Sequence, residues 1–303
     1  MNYTIREIKY SDLGDITELC GSSMPRDSLT NSLLCQKIFD DNDFSNGSTL
    51  LAFSSGKLIG FIMAVIRQRE NGKQGYIKLL ATHPQYRRNG LARELYTRIE
   101  NKFIENQIKS IRLFESWPNY YMPGLDPFYT EAICFFERMG YKKIGDTSNL
   151  SVELSDKNFS TDSEELEIKL GGINIRRAVS GDFDSTLNWI DKNFNAWRGE
   201  VEAAFKNNPI SIHLAFRNNE IIAFSAYDTN NIGLGWFGPM GTTEAARGKG
   251  VGGILLKRCI ADMQEIGYNK AIIPWVGPIP FYMHYINSKV DRIFWRYEKI
   301  LES

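Results

Sequence analysis

Two stretches of the chain place apolar and polar positions in the same order. Tyr3-Thr4-Ile5-Arg6 alternates, which predicts a short strand, and a helical pattern with Asp12 near its start follows. Ile173-Asn174-Ile175-Arg176, followed by Asp182, repeats that arrangement. Leu51-Ala52-Phe53, the polar turn Ser54-Ser55-Gly56-Lys57 and the apolar run 58–66 predict a hairpin. Leu214-Ala215-Phe216, Arg217-Asn218-Asn219-Glu220 and the run 221–227 predict another. Each half continues with a further strand, a glycine motif, a helix of roughly 15 residues and a fifth strand, over 110–115 and 271–275. Shared order at this depth predicts a duplicated domain.

The length of 303 residues suits two domains, each large enough to bury its own core. The join lies in a stretch rich in Ser, Asp and Asn over 147–163, with one alternating strand at 150–154 and a polar run at 155–164. The expected domains are 1–164, linker included, and 165–303. Lys and Arg number 36, as do Asp and Glu, so bulk charge gives no reason to expect nucleic acid or an anionic membrane. Cys20, Cys35, Cys134 and Cys259 are scattered, which predicts buried thiols in a reducing compartment rather than a metal site. The N-terminal segment has no apolar secretion core, and no run approaches the roughly 20 apolar residues of a membrane span. A soluble cytoplasmic protein is the expectation.

The glycine motif carries the chemistry. Arg87-Arg88-Asn89-Gly90-Leu91-Ala92 and Arg247-Gly248-Lys249-Gly250-Val251-Gly252 both read Arg-x-x-Gly-x-(Gly/Ala), and both stand between a predicted strand and a predicted helix. A helix N-terminus leaves backbone N–H groups unpaired and carries partial positive charge, and glycine lets a bound anion approach the backbone. Such a loop suits a pyrophosphate. Neither copy has the Gly-Lys-(Ser/Thr) of a P-loop, and neither follows the first strand of its domain as a dinucleotide fingerprint does. A tight turn before a helix is the competing explanation for either copy alone.

With these residues in place, each half resembles the GNAT superfamily of acyl-CoA N-acyltransferases, whose signature is (Gln/Arg)-x-x-Gly-x-(Gly/Ala) between fourth strand and third helix. The resemblance implies an α/β chain (an α+β mixed sheet) of two tandem GNAT-like domains, each a twisted mixed sheet flanked by helices. It implies acetyl-CoA as cofactor, with its pyrophosphate on the amides of Arg247, Gly248, Lys249, Gly250, Val251 and Gly252. The first copy would use those of Arg87, Arg88, Asn89, Gly90, Leu91 and Ala92. It places the pantetheine arm along Met240 and Thr242 in the second half and along Leu80 and Thr82 in the first.

The resemblance also makes the halves unequal. In many members a Tyr in a Phe-Tyr pair on the fourth helix protonates the leaving thiolate. The second half has Phe281-Tyr282; the first has Phe135-Phe136, and Phe136 has no proton to give. Tyr282 is therefore the expected general acid and the second half the expected catalytic half, the first being a degenerate copy that could still bind CoA. The Asn often found seven residues before that Tyr is replaced by Trp275 in the second half and by Tyr129 in the first. The helix of Tyr282 also ends in Asn287-Ser288-Lys289 instead of the usual Gly-(Phe/Tyr). Asp228 is the first candidate for general base, with His213, His284 and relay by water as alternatives.

Trp236 and Trp275 are the candidate acceptor contacts, although core packing accounts for such aromatics equally well. The run from Trp236 to Met240, the segment from Trp275 to Tyr282 and the loop Met122-Pro123-Gly124-Leu125-Asp126-Pro127 are similar to tandem GNAT enzymes that acetylate glucosamine and glucosaminides. This similarity implies a small-molecule amine acceptor, an amino sugar from cell-wall turnover, with neither nucleic acid nor membrane as partner. The open alternatives are another amine (an aminoglycoside, a small thiol-pathway amine, a protein N-terminus) or a non-enzymatic acyl-CoA-binding sensor.

Overall fold

A computed structural model describes residues 2–301; Met1 and Ser303, the outer ends of the expected domains, lie outside the described residues. The chain forms two compact units, residues 1–147 with 294–303 and residues 148–293. The boundary expected near residue 165 falls inside the second unit.

In the first unit, β1 (Thr4–Glu7) leads to α1 (Leu13–Ser23) and α2 (Asn31–Ile38), then to β2 (Thr49–Ser54), β3 (Lys57–Arg69) and β4 (Gly72–Thr82). The helix α3 (Leu91–Glu105), β5 (Ser110–Leu113), α4 (Thr130–Arg138) and the start of β6 (Lys142–Glu153) follow. Strands β1 to β4 are antiparallel neighbours in sequence order, and β5 joins β4 in parallel. The middle strand β3 is buried over almost its whole length, as its unbroken apolar run requires for a strand covered on both faces. Helix α3 is amphipathic: Leu91, Leu95, Tyr96, Ile99 and Phe103 make its buried stripe.

The second unit repeats the plan. The end of β6 is followed by α5 (Asp162–Leu170), β7 (Ile173–Arg177), α6 (Phe183–Asn193), α7 (Arg198–Lys206), β8 (Ile212–Arg217), β9 (Glu220–Tyr227) and β10 (Phe237–Thr242). Helix α8 (Val251–Glu265), β11 (Lys270–Ile273), α9 (Ile279–Ile286) and the start of β12 (Lys289–Ile300) complete it. Strands β7 to β10 form an antiparallel sheet, and β11 pairs with residues 150–153 of β6.

The duplication extends to side chains. Arg6 grips Asp12 with two hydrogen bonds of 2.7 Å, and Arg176 grips Asp182 at 2.6 and 2.8 Å. Each carboxylate also accepts a backbone N–H, from Lys9 or Val179, and each guanidinium lies over a ring of the neighbouring strand, Phe53 or Phe216. The charge-assisted fork holds both Asp carboxyls below the usual range and ties the first strand to the helix that follows it. Both predicted hairpins form. Their turns place Ser55 and Gly56, or Asn218 and Asn219, at positive φ, the arrangement a two-residue hairpin needs to match strand twist. The fifth strands stop at Leu113 and Ile273, short of the predicted 115 and 275, because Phe114 (φ 64°) and Trp275 (φ 46°) turn the backbone into the left-handed region.

Two strands pass from one unit to the other along the chain. Residues 142–147 of β6 belong to the first unit and 148–153 to the second; residues 289–293 of β12 belong to the second and 294–300 to the first. The C-terminal part of β12 pairs antiparallel with β5, from Glu298 opposite Arg112 to Ile300 opposite Ser110. Its side chains anchor it there: Arg296 Nε donates to buried Glu115 at 2.5 Å, and Lys299 Nζ reaches Glu100 at 2.5 Å. Arg296→Met would leave buried Glu115 held by Arg112 without Arg296, so a loss of about 2 kcal/mol is expected for the first unit. A chain ending at Ile293 should lose the first unit's cooperative transition in calorimetry, whereas an unchanged melting profile would show that β12 contributes nothing to it.

Candidate functional site

The fourth and fifth strands part in both units. In the first, β4 pairs with β5 over Gly75–Ile77 and the Phe114 N–H still reaches Ile77 O at 2.7 Å, but residues 79–82 continue without β5 alongside. In the second, a bridge from Trp236 to Ile272 and the bond from Ile272 N–H to Gly235 O (2.7 Å) precede the parting. A bulge sits at the parting each time. Lys78 is the extra residue on β4, between Ile77 opposite Ala64 and Leu79 opposite Met63, and the irregularity on β10 lies between Phe237 and Met240. Bulges re-aim a strand, and here they stand where a strand edge opens inside the sheet. Lys78 is fully buried, burial pushes its ammonium down to about 8, and Asp41 accepts its hydrogen bond.

The strand then runs into the glycine loop. Gly90 (φ 81°) and Gly250 (φ 74°) are the left-handed N-caps of α3 and α8. Two residues earlier, Arg88 (φ 64°) and Gly248 (φ 75°) are also left-handed. A Cβ at either N-cap glycine would meet no protein atom within 4 Å, so the backbone conformation, not crowding, selects glycine. Alternation of ordinary and left-handed residues turns successive N–H groups toward one point, at the positive end of a 15-residue helix. Both loops therefore fit a phosphate. Around them, Arg88, Asn89, Arg247 and Lys249 are exposed, and Arg87 Nε lies 3.3 Å from Thr82 O.

The first unit holds a cavity of about 570 Å³ at this place. Leu79, Leu80, Ala81 and Thr82 of β4 line it, as do Arg87, Arg88, Gly90, Leu91 and Ala92 of the glycine loop and the start of α3. Met24, Phe114, Met122, Leu125, Tyr129 and Phe135 line it further. Its size and mixed lining suit a small-molecule site. In the second unit the corresponding strand and helix carry Met240 and Thr242, both partly buried, and Gly252. A Cβ at Gly252 would lie 3.5 Å from the Phe281 ring and 3.6 Å from the Met240 methyl, and one at Gly253 would collide with the Tyr285 ring. The Gly252 distances are ordinary van der Waals contacts, so it is Gly253 that lets α9 lay the Tyr285 ring directly on the first turn of α8, where the first unit has Arg93. Sequence patterning singled out Gly252 but passed over Gly253, whose role shows only through the ring packed on it.

Tyr282 lies on α9, buried against Phe237 and Phe281 at ring separations of 6.3 and 5.1 Å. Burial alone pushes its phenol up to about 12, so it stays protonated throughout the neutral range. Its counterpart Phe136 is fully buried among Phe114, Phe135 and Tyr141. Asp228 follows β9 in the left-handed conformation (φ 49°), and the Tyr268 hydroxyl donates to it at 2.8 Å. Burial, the dominant influence, raises its carboxyl pKa. His213 is buried on β8 with Nε2 2.6 Å from Asp262, and burial lowers its pKa, whereas His284 is exposed on α9. Trp236 is buried at the start of the parted strand, and Trp275 is partly exposed with its backbone N–H donating to Asn149 Oδ1 at 3.0 Å. Among the described residues no helix is long and apolar enough to cross a membrane, and no cluster of three or more His, Cys, Asp or Glu could hold a metal.

No curated protein matches the chain. Solved structures do. The chain is similar to the glucosamine N-acetyltransferase region of a fungal multi-domain β-N-acetylglucosaminidase, with TM-score 0.82 and 18% identity over 98% of this chain. It spans only 38% of that fungal protein. A GCN5-related N-acetyltransferase from Sphaerobacter thermophilus matches with TM-score 0.72 and 15% identity, covering 99% of this chain and 96% of the other. A tandem GNAT protein from the clavulanic acid biosynthesis pathway matches with TM-score 0.69 and 13% identity, covering 100% and 99%. At such identities these structures establish the shared fold alone. A model of the acetyltransferase (GNAT) family matches residues 16–141 and again 177–282, so most of the chain, in two successive copies, belongs to the GNAT acetyltransferase family, whose acyl donor is acetyl-CoA.

Proposed function

We propose that the protein is a cytoplasmic enzyme that moves the acetyl group of acetyl-CoA to the primary amine of an amino sugar such as glucosamine or a glucosaminide in cell-wall recycling. The second unit is the catalytic one in this reading. The observation that carries the acceptor is the likeness over nearly the whole chain to a region named for glucosamine N-acetylation. Acetyl-CoA supplies an activated thioester. The amides of residues 247–252 would hold its pyrophosphate, and the β10 edge at Met240 and Thr242 that faces away from β9 would take the pantetheine arm and polarise the acyl carbonyl. Residues 87–92, with Leu80 and Thr82, would hold a second acetyl-CoA in the cavity of the first unit.

Two proton movements remain for side chains. Asp228, whose carboxyl burial makes more basic than usual, takes the proton that the amine must shed. Tyr282 gives a proton to the departing thiolate; its raised pKa keeps that proton in place until the sulfur becomes basic. Trp236 and Trp275 are assigned to the acceptor side, as flat faces for a sugar ring.

Tyr282→Phe should bind acetyl-CoA as the parent does and lose roughly a hundredfold in kcat, since a positioned acid contributes on that order. Steady-state release of CoA with glucosamine as acceptor measures this, and unchanged turnover removes Tyr282 from the mechanism. Valine at a left-handed N-cap is strained, so Gly250→Val should weaken acetyl-CoA binding to the second unit by at least about tenfold in calorimetric titration and stop most transfer. Gly90→Val should spare most of the transfer; the opposite pattern would move catalysis to the first unit.

A further inference from the structure

The first unit lacks a hydroxyl at Phe136, yet a different tyrosine lines its cavity. Tyr129 caps the N-terminus of α4 and lines the cavity together with Leu79–Thr82 of the parted strand and Gly90 of the loop. Its hydroxyl donates to Asp27 and accepts the Arg26 backbone N–H at 3.2 Å. The other carboxylate oxygen of Asp27 faces the Tyr121 hydroxyl at 3.5 Å. The segment is clamped: Arg26 reaches Asp126 at 3.3 Å and lies over the Phe128 ring. Tyr129 thus lines the cavity while its hydroxyl is held between the Asp27 carboxylate and the Arg26 N–H. Glu131, also on the lining, lies 3.4 Å from Arg87 Nη1 beside the glycine loop, and the amine enters the step below in its neutral form.

We propose that the first unit is itself a catalytic centre for acyl transfer to a primary amine, with Tyr129 as the residue that exchanges protons in its cavity and Asp27 as the positioning residue behind it. The amine nitrogen bonds to the acyl carbon, and the carbon–sulfur bond of the thioester breaks. The nitrogen sheds one proton to the Tyr129 oxygen while the Tyr129 proton moves to Asp27. The same path in reverse delivers that proton to the departing sulfur, so one relay serves as base and then as acid and no further acid or base is consumed. This centre uses the family's acyl donor but does not depend on Tyr282.

The test uses the full chain with Tyr282→Phe as background. Acetyl-CoA binding is followed by calorimetry, and CoA release is measured with glucosamine, an aminoglycoside and a short peptide as amines. Residual turnover with at least one amine is expected, and adding Tyr129→Phe should lower it by roughly a hundredfold while the acetyl-CoA affinity of the first unit stays unchanged. Asp27→Asn should reduce kcat in the same way without raising the KM for acetyl-CoA, which a merely structural role would not spare. The proposal is overturned if the background has no turnover with any of the amines, if Tyr129→Phe leaves its turnover intact, or if Tyr129→Phe abolishes binding along with turnover. Full activity in the background, removed by Tyr129→Phe, would end the assignment of Tyr282 while supporting Tyr129.

Discussion

The parting of the fourth strand from the fifth governs the rest of the structure. A sheet normally satisfies its backbone by continuing its ladder, and an open edge inside a fold leaves donors and acceptors that need partners. Here the ladder ends at Ile77 in one unit and at Trp236 in the other, beside a bulge in each case. The opening is directed at the N-terminus of a long helix whose first amides are also unpaired. A ligand that offers hydrogen-bonding groups along an arm and a phosphate at its end answers both deficits at once. The left-handed residues after the fifth strands, Phe114 and Trp275, keep the opening from closing by ending those strands early.

Within this common frame the two units handle the same space differently. The first has Ala92 and Arg93 on the opening turn of its helix and holds a cavity; the second has Gly252 and Gly253 and receives the rings of Phe281 and Tyr285. The tyrosine of the second unit sits in an apolar core beside Phe237 and Phe281, and the Tyr129 hydroxyl of the first is bonded to a carboxylate and a backbone amide. The duplication has kept the parted strand and the glycine loop and varied the tyrosine beside them.

Much of this was legible in the chain. The strand order, both hairpins, the helix after each motif and the glycine N-caps follow from local patterns, because each depends on residues within a few positions of one another. Features that depend on distant partners were not legible. Asn149 meeting Trp275, Tyr285 resting on Gly253 and Asp27 meeting Tyr129 join segments that no periodicity links. Tyr129 did carry a signal, since it stands seven residues before Phe136 where many relatives have Asn, but its carboxylate partner could not be read from spacing. The ends of the fifth strands were overextended because a left-handed Phe or Trp, unlike glycine, leaves no mark in the sequence.

The division of β6 and β12 between the units bears on how the protein comes into being. During synthesis an N-terminal domain commonly folds before the following one has been made. The first unit here cannot complete its sheet in that way, because the strand that covers β5 comes from residues 294–300. Until those residues leave the ribosome, β5 offers an exposed edge to whatever lies near it. The nascent chain must therefore hold an unfinished half while the other half is translated, and the half that is made first is the one whose sheet is closed last.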